Sequence, residues 1–340
     1  MLCLALSATK PGVRPSSLVA ATRASLLCSG TGRRQRHTAT APVPSGLDLG
    51  SEKLRRAVFY VPCSEDRKIQ KSYCSAADCI MYDLEDGVSF NRKDQARNLV
   101  LNALANNPRT TAVELGVRIN GIGSGLEHKD LTAVLESPRL NVIMVPKVEQ
   151  PEDIHMVAKM IKESGRNIGI IAGIETARGI INIRDIAQAS PLIDALLFAA
   201  EDYCADTGIV RTQSRKELYY ARSVVSTTAH AFKKQAIDMV TMDFRSKQTL
   251  VEESREGAEM GFTGKQVIHP AQVDVVQELF APPREIVEKA ARIVKGYSEN
   301  YEIGKGAFDL DGKAIDMPVI KWAYRVLRRA ELAGIQVDSL

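Results

Sequence analysis

Residues 167–203 read NIGIIAGIETARGIINIRDIAQASPLIDALLFAAEDY. Two apolar runs, Ile168–Ile174 and Ala195–Ala199, each stop at carboxylates, Glu175 and Glu201-Asp202, and an amphipathic stretch separates them. A strand that is apolar at every position buries both faces, as strands of a helix-covered parallel sheet do. The same alternation continues on both sides. Ala57–Val61, Cys79–Asp83, Glu114–Ile119 and Asn141–Pro146 precede the pair, and Ala236–Val240 and Gly264–Ile268 follow it. Between the runs lie helical segments such as Asn91–Ala105, Pro151–Glu163, Lys216–Phe232 and Thr249–Met260. Eight βα repeats over about 220 residues predict an α/β fold, a closed parallel (β/α)8 barrel of the TIM type spanning 55–270. No repeat at a fixed period of about 20–50 residues is visible, which excludes a solenoid.

Beyond the eighth run the chain continues through Ala271–Glu278, a Pro282-Pro283 break, a helix at Pro283–Glu299 and a last helix at Val319–Glu331. The stretch between these helices, GKGAFDLDGKAIDMP, is glycine-rich. A barrel closes without any of it, so residues 271–340 read as a C-terminal helical extension, either an arm on a neighbouring subunit or a lid. At the other end, residues 1–47 hold six basic residues and no Asp or Glu. Rich in Ser, Thr, Ala and Leu, they read as a mitochondrial transit peptide, directing the chain to the matrix. A disordered tail is the plain alternative.

The net charge of +4 belongs to that leader: without its six cations the chain carries 39 basic against 41 acidic residues. A nucleic-acid footprint needs a basic excess in the folded part, and there is none. No run approaches the ~18 apolar residues of a membrane span. Cys63, Cys74, Cys79 and Cys204 lack CxxC spacing, and the five histidines form no HxxxH or HExxH cluster, so neither a structural zinc nor a zinc hydrolase is indicated.

In such a barrel the chemistry sits at the carboxyl ends of the strands. Those ends carry Asp83-Leu84-Glu85-Asp86, Arg118, Lys147, Glu175, Glu201-Asp202 and His269, six charged or ionisable ends of eight. Glu175 and Asp202 are 27 residues apart, about one βα unit, which sets two hard oxygen ligands on adjacent strands. With no thiolate or imidazole pair nearby, they suit Mg²⁺, which takes the rest of its shell from water and substrate. Pairing with Arg178 or Arg184 is the structural alternative. Glu85 and Asp86 could orient water on the metal, or pair with Lys147; both readings stand. Arg67 and Lys71, four apart after the first strand, form one cationic helix face for a phosphate-bearing ligand, or simply a solvated face. Gly121-Ile122-Gly123-Ser124-Gly125 lacks the P-loop ending and reads as a flexible loop.

Taken in order, RRAVFYVP, YDLEDGV, VRIN, VPKVE, GIETARG, AAEDY, GFTGKQVIHPAQ and IDMP resemble the citrate lyase β-subunit/HpcH–HpaI aldolase family over about residues 55–320. The resemblance implies a TIM barrel acting with Mg²⁺ on CoA thioesters of 2-hydroxy acids or on free hydroxy-oxo acids. By motif, Glu175 and Asp202 resemble the metal ligands, and Arg118 the group that contacts the substrate oxygen. Tyr60, Arg67 and Lys71 fall where the family lines its CoA channel. Glu201 and Asp202 of AAEDY border the substrate, and Ile268-His269 close on the thioester. Asp316 of IDMP resembles a catalytic acid supplied by an adjacent subunit, with a homotrimer implied. One departure is Cys63, where relatives carry Gly.

The reaction this implies is a Mg²⁺-dependent cleavage of (3S)-citramalyl-CoA to pyruvate and acetyl-CoA through an acetyl-CoA enolate. Malate or β-methylmalate synthase and malyl-CoA thioesterase turnover are implied as side activities. A CoA-independent 4-hydroxy-2-oxo-acid aldolase and a non-catalytic scaffold subunit are the competing readings.

Overall fold

The computed structural model describes residues 43, 44, 47, 49, 53–108, 114–302 and 306–336. Residues 1–42, most of the expected leader, lie outside the described residues.

Eight parallel strands close into a barrel in chain order. They are β1 (Ala57–Pro62), β2 (Cys79–Asp83), β3 (Glu114–Arg118), β4 (Val142–Val145), β5 (Gly169–Ile174), β6 (Ile193–Phe198), β7 (Gln235–Asp238) and β8 (Gly264–Val267). Around them run α1 (Asp66–Ser72), α2 (Lys93–Asn106), α3 (Glu127–Val134), α4 (Pro151–Glu163), α5 (Ala177–Gln188), α6 (Ala200–Thr207), α7 (Tyr219–Ala231), α8 (Lys247–Glu259) and α9 (Val273–Phe280). The ring closes where β1 pairs with β8, Phe59 opposite Val267. Among the described residues no helix is long and apolar enough to cross a membrane.

Period-two alternation sorts each apolar strand into two cores. Val58, Tyr60, Met81, Met144, Ile171 and Leu197 fill the barrel interior. Their neighbours Phe59, Ile80, Ile143, Ile170 and Leu196 pack outward under the helices. Each fully buried aliphatic contributes about 1.5–3 kcal/mol by leaving water. The amino end is plugged by a polar cluster: Arg55, fully buried, reaches Glu114 at 2.5 Å, Asp194 at 2.7 Å and Gln235 at 2.9 Å.

The strands match the sequence-based bounds to within two residues. β4 stops at Val145 rather than Pro146, whose ring nitrogen donates no ladder bond. β7 stops at Asp238 rather than Val240, where the chain turns out toward the mouth.

The extension builds a core of its own. α10 (Arg284–Glu302) packs on α11 (Met317–Leu332), with Val287, Ile293, Tyr297, Ile320 and Ala323 buried between them. Between the helices lies a hairpin not expected from sequence, β9 (Phe308–Leu310) with β10 (Lys313–Ile315). Its turn is Asp311-Gly312 with φ of 55° and 75°. A two-residue turn with both φ values positive matches strand twist, and Asp-Gly is suited to it.

Candidate active site

The strand ladder places the first pair. β2 and β3 are in register with Asp83 directly opposite Arg118, so the guanidinium meets the carboxylate side-on. Nε and Nη2 of Arg118 donate to Asp83 at 2.7 Å each, and Nη1 lies 2.7 Å from Glu85. The Arg118 guanidinium also sits 5.1 Å from the ring centre of Tyr60, inside the barrel. Asp83 further accepts from the backbone N–H groups of Glu85 and Gly87 at 2.9 and 3.0 Å. Lys93, reaching back from α2, donates to the carbonyls of Leu84 and Glu85 and to Asn120. Asn120 is in turn held by Asp130. The Leu84–Gly87 loop is thus tied at both ends.

Lys147 follows β4 with a φ of 50°, a left-handed conformation that bulky residues seldom adopt. Its ammonium stands among four carboxylates: Glu85 at 2.8 Å, Asp202 at 3.1 Å, Asp86 at 3.6 Å and Glu175 at 3.8 Å. Burial opposes its charge, but the hydrogen bond to Glu85 and the fields of Glu175, Glu85 and Asp202 outweigh burial and raise its pKa.

Glu175 ends β5 and is 1% exposed, with neither carboxylate oxygen hydrogen-bonded. Thr176 beside it caps α5 by accepting from the N–H of Gly179 at 3.0 Å. Gly173 makes room underneath: a Cβ there would stand 2.4 Å from Glu175 Oε1. Burial, together with Glu85 and Asp202, pushes the Glu175 carboxyl up to about 8, against the pull of Lys147 and Arg118. Asp202 lies in the first turn of α6 on the adjacent βα unit. Among the described residues no group of three or more His, Cys, Asp or Glu is gathered as for a metal ion. A two-carboxylate seat matches a cation that keeps several waters.

The fit to such a cation rests on charge and on unmade bonds. Among the described residues, the cations paired with Asp83, Glu85, Asp86, Glu175 and Asp202 are Arg118 and Lys147. A buried carboxylate without donors costs free energy that a divalent ion would relieve. Glu175 and Asp202 fit as its ligands.

The remaining expected residues are spread more widely. Tyr60 is buried in the barrel interior, its hydroxyl without a hydrogen-bond partner and its pKa pushed up first by burial. Arg67 and Lys71 are exposed on α1 and make no ion pair among the described residues, whereas Lys68 pairs with Glu65. Glu201 is taken by Arg211, 2.5 Å away. Ile268 is exposed beside the mouth. The His269 ring stacks on Phe244 at 4.9 Å, and its Nδ1 accepts from the Ala271 N–H. Asp316 is the N-cap of α11, exposed, and its side chain makes no capping bond. Trp322, Val326 and Arg329 of α11 stand against the amino ends of the strands. The structural role of Lys93 had no signal in the sequence, because the groups it binds are mostly backbone carbonyls.

Residues 56–270 match the HpcH/HpaI aldolase/citrate lyase family model. The chain belongs to that family. Among curated relatives, mitochondrial citramalyl-CoA lyase of Homo sapiens is 38% identical over 296 residues, 81% of this chain and 85% of that protein. Citrate lyase subunit beta of Escherichia coli K12 is 33% identical over 303 residues, 87% of this chain and all of that one. Among solved structures, CitE from Mycobacterium tuberculosis in complex with magnesium, acetoacetate and coenzyme A superposes with a TM-score of 0.69 at 30% identity. It covers 83% of this chain and 100% of that chain. The family reading and the TIM barrel drawn from the motifs are therefore borne out.

Proposed function

We propose that this chain is a Mg²⁺-dependent carbon–carbon lyase that cleaves (3S)-citramalyl-CoA to pyruvate and acetyl-CoA. The observation that carries the reading is Glu175, a buried carboxylate with neither oxygen hydrogen-bonded, beside Asp202 in a mouth where carboxylates outnumber cations. The names of the mammalian relatives support the substrate, and the CitE complex with magnesium and coenzyme A supports the cofactor and the thioester.

Bound by Glu175 and Asp202, Mg²⁺ supplies Lewis-acid polarisation of the substrate's hydroxyl and carboxylate oxygens. The chain's own residues do the rest. Arg118 has five N–H donors; two are committed to Asp83, and Nη1 stands 2.7 Å from Glu85. The donors not taken by Asp83, on a guanidinium locked in orientation, would meet the oxygen that gains charge as the carbon–carbon bond breaks. One such donor is worth about 2.7–4 kcal/mol in the transition state. Lys147 keeps positive charge in the same mouth. Arg67 and Lys71 are exposed on α1, without an ion pair among the described residues, just past the carboxyl end of β1, where the phosphates of CoA would need cations. A proton donor is then required to protonate the carbon of the acetyl-CoA enolate. Asp316 of a neighbouring copy takes that role, since its carboxylate is not used in capping α11. The assembly is a homotrimer in this reading. Condensation of glyoxylate with acetyl-CoA and hydrolysis of malyl-CoA use the same enolate-stabilising groups and follow as minor activities. The basic leader directs the protein to the mitochondrial matrix, as the names of the mammalian relatives support.

The test is incubation of the leaderless protein with citramalyl-CoA, following pyruvate by a coupled assay with and without Mg²⁺. Pyruvate that appears only with Mg²⁺ supports the reading. No pyruvate from a folded protein, but cleavage of free 4-hydroxy-2-oxo acids, would replace it by the CoA-independent aldolase.

A further inference from the structure

A second cavity of about 420 Å³ opens at the opposite end of the barrel, between the amino ends of the strands and α11. Its size falls in the range of about 300–1,000 Å³ typical of small-molecule sites. Arg55, Gln235 and Thr263 mark the barrel side, and Trp322, Val326 and Arg329 the helix side. Phe262, Phe280 and Pro282 complete an apolar wall.

Its polar lining has one sign. Among the described residues no Asp or Glu lines it, while Lys, Arg and His residues from both walls do. Arg55 and Arg56 have carboxylate partners outside the lining, Glu114 with Asp194 and Asp78 respectively. Lys234 and Arg329 differ: each donates to a backbone carbonyl, Ile193 for the lysine and Phe280 at 2.9 Å for the arginine. Those bonds leave two ammonium and at least three guanidinium donors. Burial lowers the pKa of both groups, as expected where positive charge is desolvated beyond what carboxylates compensate. Concave apolar walls with convergent cations of one sign select a ligand that brings the missing charge on an apolar body.

We infer that this cavity is a binding site for a small organic anion, a carboxylate or phosphate head on an apolar tail, separate from the site at the carboxyl ends of the strands. The ligand would hold α11 against the barrel, joining the extension to the catalytic unit.

The protein reports on its own occupancy, because Trp322 is the single tryptophan of the chain and is 38% exposed at this cavity. Titration of the full chain with octanoate and with octyl phosphate, read by tryptophan fluorescence and by calorimetry, tests the site. Octanol and inorganic phosphate are the tail-only and head-only controls. Saturable binding of one octanoate or octyl phosphate per chain is expected, with the tighter of the two identifying the head, and neither control binding comparably. Arg329→Gln should weaken it about tenfold or more, the scale of a lost charged hydrogen bond. Ala333→Phe, which fills the cavity at the end of α11 without removing a donor, should abolish it. Glu175→Gln should leave it unchanged. Absence of saturable binding, or equal affinity in Ala333→Phe, would overturn the inference, even if Arg329→Gln failed to fold.

Discussion

Glu175 ties the site's chemistry to its stability. A folded-state pKa of about 8 lies above the ordinary carboxylate value, so this group favours the fold while it is protonated. That contribution is complete below about pH 4.3, the unfolded carboxyl's value, and is lost as pH rises through about 8. Metal-free wild type should therefore melt lower at pH 9 than at pH 6 by more than Glu175→Gln does, and Mg²⁺ should restore the difference at pH 9. Scanning calorimetry of both proteins checks this; identical pH dependence would remove the uncompensated carboxylate. Arg118→Lys keeps the charge but loses the side-on pair with Asp83 and one free donor. Its kcat should fall about 10²–10³-fold, the scale of one oxyanion donor. Much of this was legible in the sequence, since Arg118 ends β3, Glu175 follows β5 directly, Asp202 lies just past β6, and the spacing sets the last two on neighbouring βα units. Lys147 was named at the end of its strand and as a partner of Glu85 or Asp86, but its reach to Glu175 and Asp202 as well was not, because it goes with a left-handed φ of 50°, which no periodicity reveals.

At the scale of elements, the tie between α2 and the loop after β2 governs how well Glu85 and Arg118 are aimed. Lys93→Met removes three hydrogen bonds, two of them to loop carbonyls. The expectation is a 10–100-fold loss of kcat/KM, as for groups that orient metal-site residues, with the circular dichroism spectrum unchanged. Steady-state kinetics decide; wild-type activity would show that the loop needs no such tie. The helices and strands themselves followed from 3.6- and 2-residue patterns. The β9–β10 hairpin did not, because its strands are three residues each, too short for alternation to register. Only Asp311-Gly312 announced it, inside a stretch already rich in glycine.

Across the whole molecule, the carboxyl face gathers the ionisable mouth residues and the amino face holds the buried Arg55 cluster. Arg55 is the hub of the latter, and Arg55→Met should cost about 3–5 kcal/mol by taking the buried guanidinium from Glu114 and Asp194 and leaving them the half-exposed Lys53. Burial raises the Asp194 pKa, but Arg55 and Lys53 outweigh it and hold the net value low. Its stabilising contribution is present above the unfolded carboxyl's value, about 3.9, and is lost as pH falls through the lower folded value. Urea unfolding of wild type and Arg55→Met between pH 3 and 7 measures both effects. The role assigned to Asp316 also belongs to this scale. Asp316→Ala should still bind the CoA ester but lose most turnover, about 10²–10⁴-fold for a placed proton donor. Mixed oligomers of Asp316→Ala with Glu175→Gln should regain activity, since some sites then hold both native groups. Sequence could flag the extension as surplus to the barrel, but not where it docks, because α10 and α11 satisfy their apolar faces against each other.

The central claim, a Mg²⁺ seat on Glu175 and Asp202 serving a CoA-ester lyase, is tested most directly by titrating Mg²⁺ into citramalyl-CoA cleavage by the leaderless wild type, Asp202→Asn and Glu175→Gln. Saturable activation is predicted for wild type, shifted to about 10–100-fold higher Mg²⁺ in Asp202→Asn and absent in Glu175→Gln. Pyruvate release that ignores Mg²⁺, or a dependence that neither substitution moves, would contradict the account.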